Sequence, residues 1–447
     1  KVPKMKNGWN GKFLYSFGGI ILCLFLIVGL VHMIMENSVP KHEKKEERTQ
    51  ESVEKKEQKK EKPEKNVSET KIRVLLRTNG FADEVHPSVT VSAENGLFVT
   101  FSGGKKETGA KEKITIHPDD MMFSKGTIHI QAKKQGEKIM ISGLKRGYGE
   151  PSYRGELELF QTPQGIAVIN ELSLEEYLYG VVPSEMPVSY ESEALKCQAV
   201  CARSYAYCHT QGQAYPEYRA NVDDSTAYQV YGNSKEQQKA VNATKGQKMK
   251  YNGKVVKAYY YSTSCGKTTT VEAWGTKVNK DNEYLKASDI AENGQYYEKD
   301  LPWFSWKCDI PTSLLSDLFA ANTGKNVGMI QNVEITKRGP GNVAVEMKIT
   351  GEKGSYTVQT ENKIRSAFGG KGYQIIRQDG SKVSASALLP SAFFHITKQK
   401  DSFHIEGGGY GHGIGMSQNG ANEMAKKGKD YHTILKTFYP GVEITVD

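Results

Sequence analysis

Apolar positions in the first third of the chain recur in short runs with the alternation of strands rather than in helical stripes. Ile72–Leu76, Leu97–Phe101, Ile114–Ile116, Ile128–Ile130, Ile139–Ile141, Leu157–Phe160 and Ile166–Ile169 are such runs, and turn dipeptides such as Asn79-Gly80 and Asn95-Gly96 separate them. The period then changes. Ser173 with Glu176 three residues later makes a capping box for a short helix, which Gly180 and Pro183 are expected to end. A second helix is predicted from about Glu191 to His209, with Ala194, Cys197, Cys201, Tyr205 and Cys208 on one face. Further strands are predicted around Lys257–Thr263, Val333–Thr336, Val343–Ile349 and Phe403–Ile405. The end is helical again, with Gly428 as a stop and Asp430 as the next N-cap. This order predicts an α+β fold rather than a regular βαβ array.

Ahead of the strands, Phe13 to Met35 holds 23 residues without a formal charge, preceded by Lys1, Lys4, Lys6 and Lys12. At about 1.5 Å per residue a helix of that length crosses a hydrocarbon layer. The apolar part is too long for a cleaved signal peptide, and no small-x-small site closes it cleanly. The Lys/Glu tract that follows buries too little apolar surface to offset its ordering entropy. The expected organisation is a cytoplasmic head at 1–12, a transmembrane anchor at 13–35, a charged tether at 36–71, a β-rich part at 72–154 and a main region at 155–447, with a strand-rich second lobe near 310–400. The main domain is then extracytoplasmic on a single-pass cell-membrane anchor.

Composition narrows the function. The chain has 447 residues, 38% of them hydrophobic, so it builds a core and is not a disordered tail. Its net charge of +9 hints at nucleic acid. However, residues 1–71 carry 15 Lys+Arg against 10 Asp+Glu, and the rest of the chain is nearly balanced. No arginine-rich run interleaves with aromatics, so nucleic acid is not an expected partner. Six cysteines (Cys23, Cys197, Cys201, Cys208, Cys265 and Cys308) are too sparse for a disulfide scaffold, and no CxxC pair suggests a zinc ribbon. The three on the second helix read as small core residues. Fingerprints of other enzyme classes fail by single residues. Gly266-Lys267-Thr268 lacks the upstream P-loop glycine, and Asn419 stands where a nucleophile elbow after Gly415-Met416-Ser417 needs glycine.

Glu185 carries the most chemistry. It sits in Val181-Val182-Pro183-Ser184-Glu185-Met186-Pro187, read as a loop between the two helices and stiffened by its prolines. Apolar neighbours there would desolvate the carboxyl and raise its pKa toward the range useful for proton donation. The plain alternative is a solvated loop glutamate.

At this point the pattern resembles the stage II sporulation protein D family and its amidase-enhancer relatives. The loop Val182-Pro-Ser-Glu185-Met-Pro187 is followed by Glu193-Ala-Leu-Lys-Cys-Gln-Ala-Val-Cys-Ala-Arg203-Ser-Tyr-Ala206. Asp224 through Gln229-Val230-Tyr231, Tyr261-Ser-Thr-Ser-Cys-Gly266-Lys-Thr268 and Gly409-Tyr-Gly-His412-Gly-Ile-Gly-Met-Ser-Gln418 come next, and Ile434-Leu to Phe438-Tyr-Pro-Gly441 closes the series. The blocks keep their order over roughly residues 155–445. The resemblance implies a membrane-anchored lytic transglycosylase acting on peptidoglycan during spore engulfment, on glycan strands stripped of stem peptides. It implies as partners the sporulation amidase (stage II protein P) and stage II protein M.

Glu185 matches the family's catalytic glutamate. Arg203, Tyr284 and Lys286 match positions expected near the cleft, and Asp224, Gln229, Ser262, Ser264, His412 and Gln418 complete the substrate-binding expectation. Asp224 is also the candidate for a second carboxyl, and Trp274, Trp303 and Trp306 for either sugar stacking or core. Some members hold zinc through a Cys-Asp-x-x-His-Cys-Gln segment. Here the corresponding positions are Asp223, Ala227 and Tyr228, while Tyr261 and Cys265 replace the usual histidine and glycine, so no metal and no cofactor is expected. A Cys265–Cys308 bridge stays open. The overall expectation is a two-lobed α+β domain around a glycan-binding cleft. The alternative is a non-catalytic peptidoglycan-binding module that enhances an amidase.

Overall fold

The strand Gly165–Ser173, whose first six residues are all buried, is the axis of an eight-stranded sheet. Lys71–Leu75 pairs antiparallel along one edge of it, from Lys71 opposite Ser173 to Leu75 opposite Ile169. Glu156–Thr162 pairs along the other, and Ile128–Ala132, Leu97–Phe101 and Gly104–Glu107 extend the sheet outward. Val222–Asp223 adds in parallel beside Lys71–Leu75, and Val85–His86 pairs with the axis strand. The computed structural model describes residues 70–446 except 147–148 and 233–235. The expected anchor and most of the tether lie outside the described residues, and among the described residues no helix is long and apolar enough to cross a membrane.

Seven α-helices occur among the described residues: α1 (Leu174–Glu185), α2 (Ser192–Thr210), α3 (Gln238–Ala243), α4 (Thr312–Thr323), α5 (Glu361–Ala367), α6 (Gln418–Lys426) and α7 (Tyr431–Phe438). Helix α2 is central and packs on α1, α3, α6 and α7. Cys197 and Cys201 are buried in that packing as small apolar residues, and Cys208 is half-buried. Cys265 and Cys308 are both free thiols, so the bridge left open between them is not formed. A five-stranded sheet centred on Trp306–Pro311 and Ser402–Gly407 and a three-stranded sheet running from Ile330 to Gln359 occupy the strand-rich stretch. The fold class is α+β; the main hydrophobic core runs from Ile72 to Val442, and a small second cluster gathers Leu75, Ala167, Ile169 and Ala220.

Two local expectations need correction. Helix α1 begins as predicted, with the Ser173 side chain accepting the Glu176 N–H, but it does not stop at Gly180 or Pro183. Proline removes the N–H that would bond the carbonyl four residues back. That carbonyl, on Tyr179, instead accepts the N–H of Gln237 at 3.1 Å, and the Gly180 carbonyl accepts the Ser184 hydroxyl at 2.6 Å. With both acceptors satisfied the helix continues to Glu185, which is its last residue and not part of a loop. The run Lys257–Thr263 shrinks to the pair Tyr260–Tyr261, which lies parallel to Met416–Ser417.

Candidate active site

Helix α1 delivers Glu185 to the wall of a cavity of about 480 Å³. The segment that follows Asp224 fixes the carboxyl there: the Val230 N–H donates to Glu185 Oε1 at 2.6 Å. Close approach of the two segments requires Gly180, since a Cβ there would lie 2.7 Å from Cε2 of Tyr231. From the C-terminal side, the Gln418 amide donates to the Glu185 carbonyl at 2.9 Å and to Gln198 Oε1 at 3.2 Å. The end of α1 thus has its last turn closed by the first residue of α6.

Burial pushes the Glu185 carboxyl up to about 7, against the pull of the Val230 N–H and the Tyr260 hydroxyl, which both favour the carboxylate. Tyr260 is oriented for that role. Its oxygen accepts from Gln229 Nε2 at 3.0 Å, which leaves the phenolic hydrogen for Glu185. His412 is held differently. Its Nδ1 accepts the Ile414 N–H at 3.1 Å, so Nε2 carries the hydrogen and donates to the Tyr260 carbonyl at 3.0 Å. Burial lowers its pKa to about 4, so it stays neutral and serves as a brace, not as an acid.

Aromatic rings line the rest of the cavity. Tyr205 packs on Tyr259 at 5.9 Å, Tyr259 on Trp274 at 4.8 Å, Trp274 on His412 at 5.2 Å and His412 on Tyr261 at 5.4 Å. Such faces with hydroxyls at their rims suit pyranose rings, which carry apolar C–H faces and polar edges. At the mouth, half-exposed Tyr410 stacks on Trp303 at 4.6 Å. Trp306 is core, with Nε1 donating to the Gly409 carbonyl.

Of the residues anticipated from sequence, Glu185, Ser262, Trp274, His412 and Gln418 line the cavity, with Gln229 directly behind Tyr260. The others lie elsewhere. Arg203 is 1% exposed and pairs bidentately with Glu175 through Nε and Nη2 at 2.7 and 2.8 Å, while Nη2 also donates to the Val241 carbonyl and Nη1 to the Gln247 carbonyl. Asp224 is buried against the Arg146 guanidinium and accepts the Arg77 N–H at 3.0 Å, so its oxygens are engaged in a structural ion pair and it is not among the lining residues. Tyr284 is buried with its hydroxyl on the Lys257 carbonyl, and Lys286 is exposed on the surface. Ser264 is buried and binds Glu298, a fully buried carboxyl that also accepts the Ser417 hydroxyl at 2.7 Å and is pushed up to about 7 by burial. Sequence reasoning missed Glu298 and Arg365, because neither lies in a recognisable block.

The zinc segment of some relatives does not fit here. Asp223 spends its oxygens on Ser225, Tyr215 and Arg77, Ala227 carries no donor, and Tyr228 offers only a neutral phenol.

A family profile described as Stage II sporulation protein matches residues 162–251, and one described as a domain of unknown function matches residues 262–415. Stage II sporulation protein D of Bacillus subtilis (strain 168) is 30% identical over 338 residues, covering 70% of this chain and 87% of that protein. The chain belongs to the stage II sporulation protein D family. An uncharacterized protein of Brachyspira hyodysenteriae is 32% identical over 303 residues, covering 65% of this chain and 72% of its own length. The amidase enhancer of Bacillus subtilis is 30% identical over 299 residues, or 60% of this chain, and the match spans 40% of that longer protein. In this stage II sporulation protein D family member the cavity is shared between the two matched regions: Glu185 and Val230 come from the first, Trp274 and His412 from the second.

Proposed function

We propose that this chain is a lytic transglycosylase that cleaves peptidoglycan glycan strands lacking stem peptides to 1,6-anhydro-muramyl ends during sporulation engulfment. One observation carries the reading: among the described residues that line the cavity, Glu185 is the sole carboxylate, and its raised pKa keeps much of it protonated near neutral pH. A hydrolytic glycosidase ordinarily needs two carboxyl groups, one as acid and one as nucleophile or base. A transglycosylase that closes a ring within its own substrate needs one. Protonated Glu185 gives its proton to the glycosidic oxygen as the C1–O bond breaks. The carboxylate so formed, supported by Val230 N–H and Tyr260, takes the proton of the same sugar's 6-hydroxyl as O6 bonds to C1. The acid is restored, and no water is consumed.

The sporulation context rests on family membership. Attachment to the cell membrane, with the N-terminus cytoplasmic and the domain outside, rests on the uncharged run 13–35 behind four lysines. Stage II proteins P and M are the partners this reading carries with it. The full chain and its Glu185→Gln variant, incubated with peptide-free strands, test the reaction by mass spectrometry: anhydro ends from the parent alone support it, and equal activity in the variant overturns it. The match to an amidase enhancer favours a second reading, a glycan-binding module that stimulates an amidase; binding without cleavage by either protein would bring it forward.

A further inference from the structure

Besides Glu185, one charged side chain lines the cavity among the described residues: Arg365, from α5. Its position is fixed and its donors are only partly used. Nε donates to the Leu389 carbonyl at 2.9 Å and Nη1 to Glu361 Oε2 at 3.2 Å, while Nη2 takes no acceptor among the described residues. Glu361 itself is buried and uses its other oxygen, Oε1, to accept Nε1–H of Trp274 at 3.1 Å. One carboxylate therefore holds two cavity-lining groups, a flat indole face and a guanidinium, in a fixed relation. The positive charge also reaches His412, where it disfavours protonation of the imidazole. That brace is neutral, and the other polar lining side chains besides Glu185 are phenols, an indole, the hydroxyls of Thr226 and Ser262 and the Gln418 amide. An uncharged sugar needs no cation; a buried guanidinium whose Nη2 has no acceptor among the described residues, in a cavity walled by aromatic rings, matches a sugar that bears an anion.

We propose that Arg365 is a specificity-determining residue that recognises the free lactyl carboxylate of a muramic acid residue. The inference rests on the glycan-strand reading above. In peptidoglycan the lactyl group of muramic acid is either a free carboxylate or an amide to the first residue of a stem peptide. Only the carboxylate supplies a full negative charge and two acceptor oxygens to a planar fork; the amide supplies one neutral oxygen and a chain that must leave a half-enclosed space. Arg365 thus turns the absence of a peptide into a positive contact, where a merely roomy cleft would accept both forms.

The test compares two forms of the same strands, with lactyl carboxylates free or converted to methylamides, on the full chain. The expected result is that capping weakens equilibrium binding and raises KM about 10- to 100-fold for the parent. Arg365→Gln binds free strands no better than capped ones, and Arg365→Lys keeps part of the preference. Equal affinity of the parent for both forms overturns the proposal, as does undiminished preference in Arg365→Gln. The parent comparison needs no variant, so it holds even where Arg365→Gln folds poorly. The two levels separate cleanly: discrimination in binding without anhydro products sinks the transglycosylase and keeps the carboxylate site. Equal cleavage of both strand forms does the reverse.

Discussion

Val230 N–H and Glu185 Oε1 lie 2.6 Å apart, joining the last residue of α1 to a segment 45 positions further along. Through that bond the backbone, which cannot rotate away, orients the Glu185 carboxyl. What the proton does there follows from the balance of burial against donors.

Glu185 titrates near 7 because burial disfavours its charge, so the acid-competent form fades as pH rises through that value. For the proposed reaction, kcat/KM should fall about tenfold per pH unit above about 7. Glu185→Gln should lose about 10²- to 10⁴-fold at and below about pH 7, and its remaining rate should lack the alkaline fall, so the gap to the parent narrows above about pH 7. Initial rates of anhydro-end formation between pH 5 and 9 check both.

Tyr260→Phe removes a hydroxyl that pulls the Glu185 pKa down. The pKa then rises, and the alkaline limb should move to higher pH while the maximal rate drops, since the carboxylate formed after proton transfer loses a donor. A limb that stays in place would show that the phenol does not reach the carboxyl in solution.

Gly180→Ala places a methyl 2.7 Å from the Tyr231 ring. Overpacking of this kind costs about 1–3 kcal/mol. Here it also displaces the strand of chain that carries Val230. The expected signature is lower thermal stability together with a drop in kcat larger than any change in KM, read from unfolding curves and steady-state kinetics of one preparation.

Arg203 and Glu175 separate a structural role from a substrate-binding one. Arg203→Met strands a carboxylate beside the core, a loss of about 3–5 kcal/mol for a buried pair. Glycan affinity, measured below the lowered Tm, should be unchanged because the pair does not line the cavity.

Glu298 predicts a stability effect with a definite sign. Its carboxyl is raised from 4.5 to about 7 in the folded chain, so its contribution is fully present below pH 4.5 and is lost as pH rises through about 7. Glu298→Gln keeps an oxygen for the Ser264 N–H and the Ser417 hydroxyl and carries no charge. Relative to the parent it should gain on the order of 2–3 kcal/mol between pH 5 and 8.5, measured by denaturant unfolding.

Local chemistry was readable wherever it was decided locally. Leu97–Phe101 and Ile114–Ile116 fall on their predicted bounds, and Ser173 and Asp430 cap the helices that their side chains announce. Helix α1 escaped because the bond that rescues it past Pro183 comes from Gln237, more than fifty residues away. Glu185, His412 and Gln418 could be found through family blocks, but those blocks mix cavity residues with braces. Arg203 and Asp224 belong to the same series of blocks as the acid, yet both are buried away from solvent. Arg365 shows the opposite failure: nothing around it marks it, and only the fold brings it to the same cavity.

The hydrogen bond from Gln418 to the Glu185 carbonyl also sets a schedule. A chain emerging from its N-terminus displays its acid early, yet the amide that seats it, and the Met416–Ser417 partner of Tyr260–Tyr261, emerge more than two hundred residues later. Until then the carboxyl hangs on a helix without its floor. If the proposed reaction holds, chains ending before Met416 should therefore fail to cleave glycan, because the contacts that seat the acid arrive only with the last thirty or so residues.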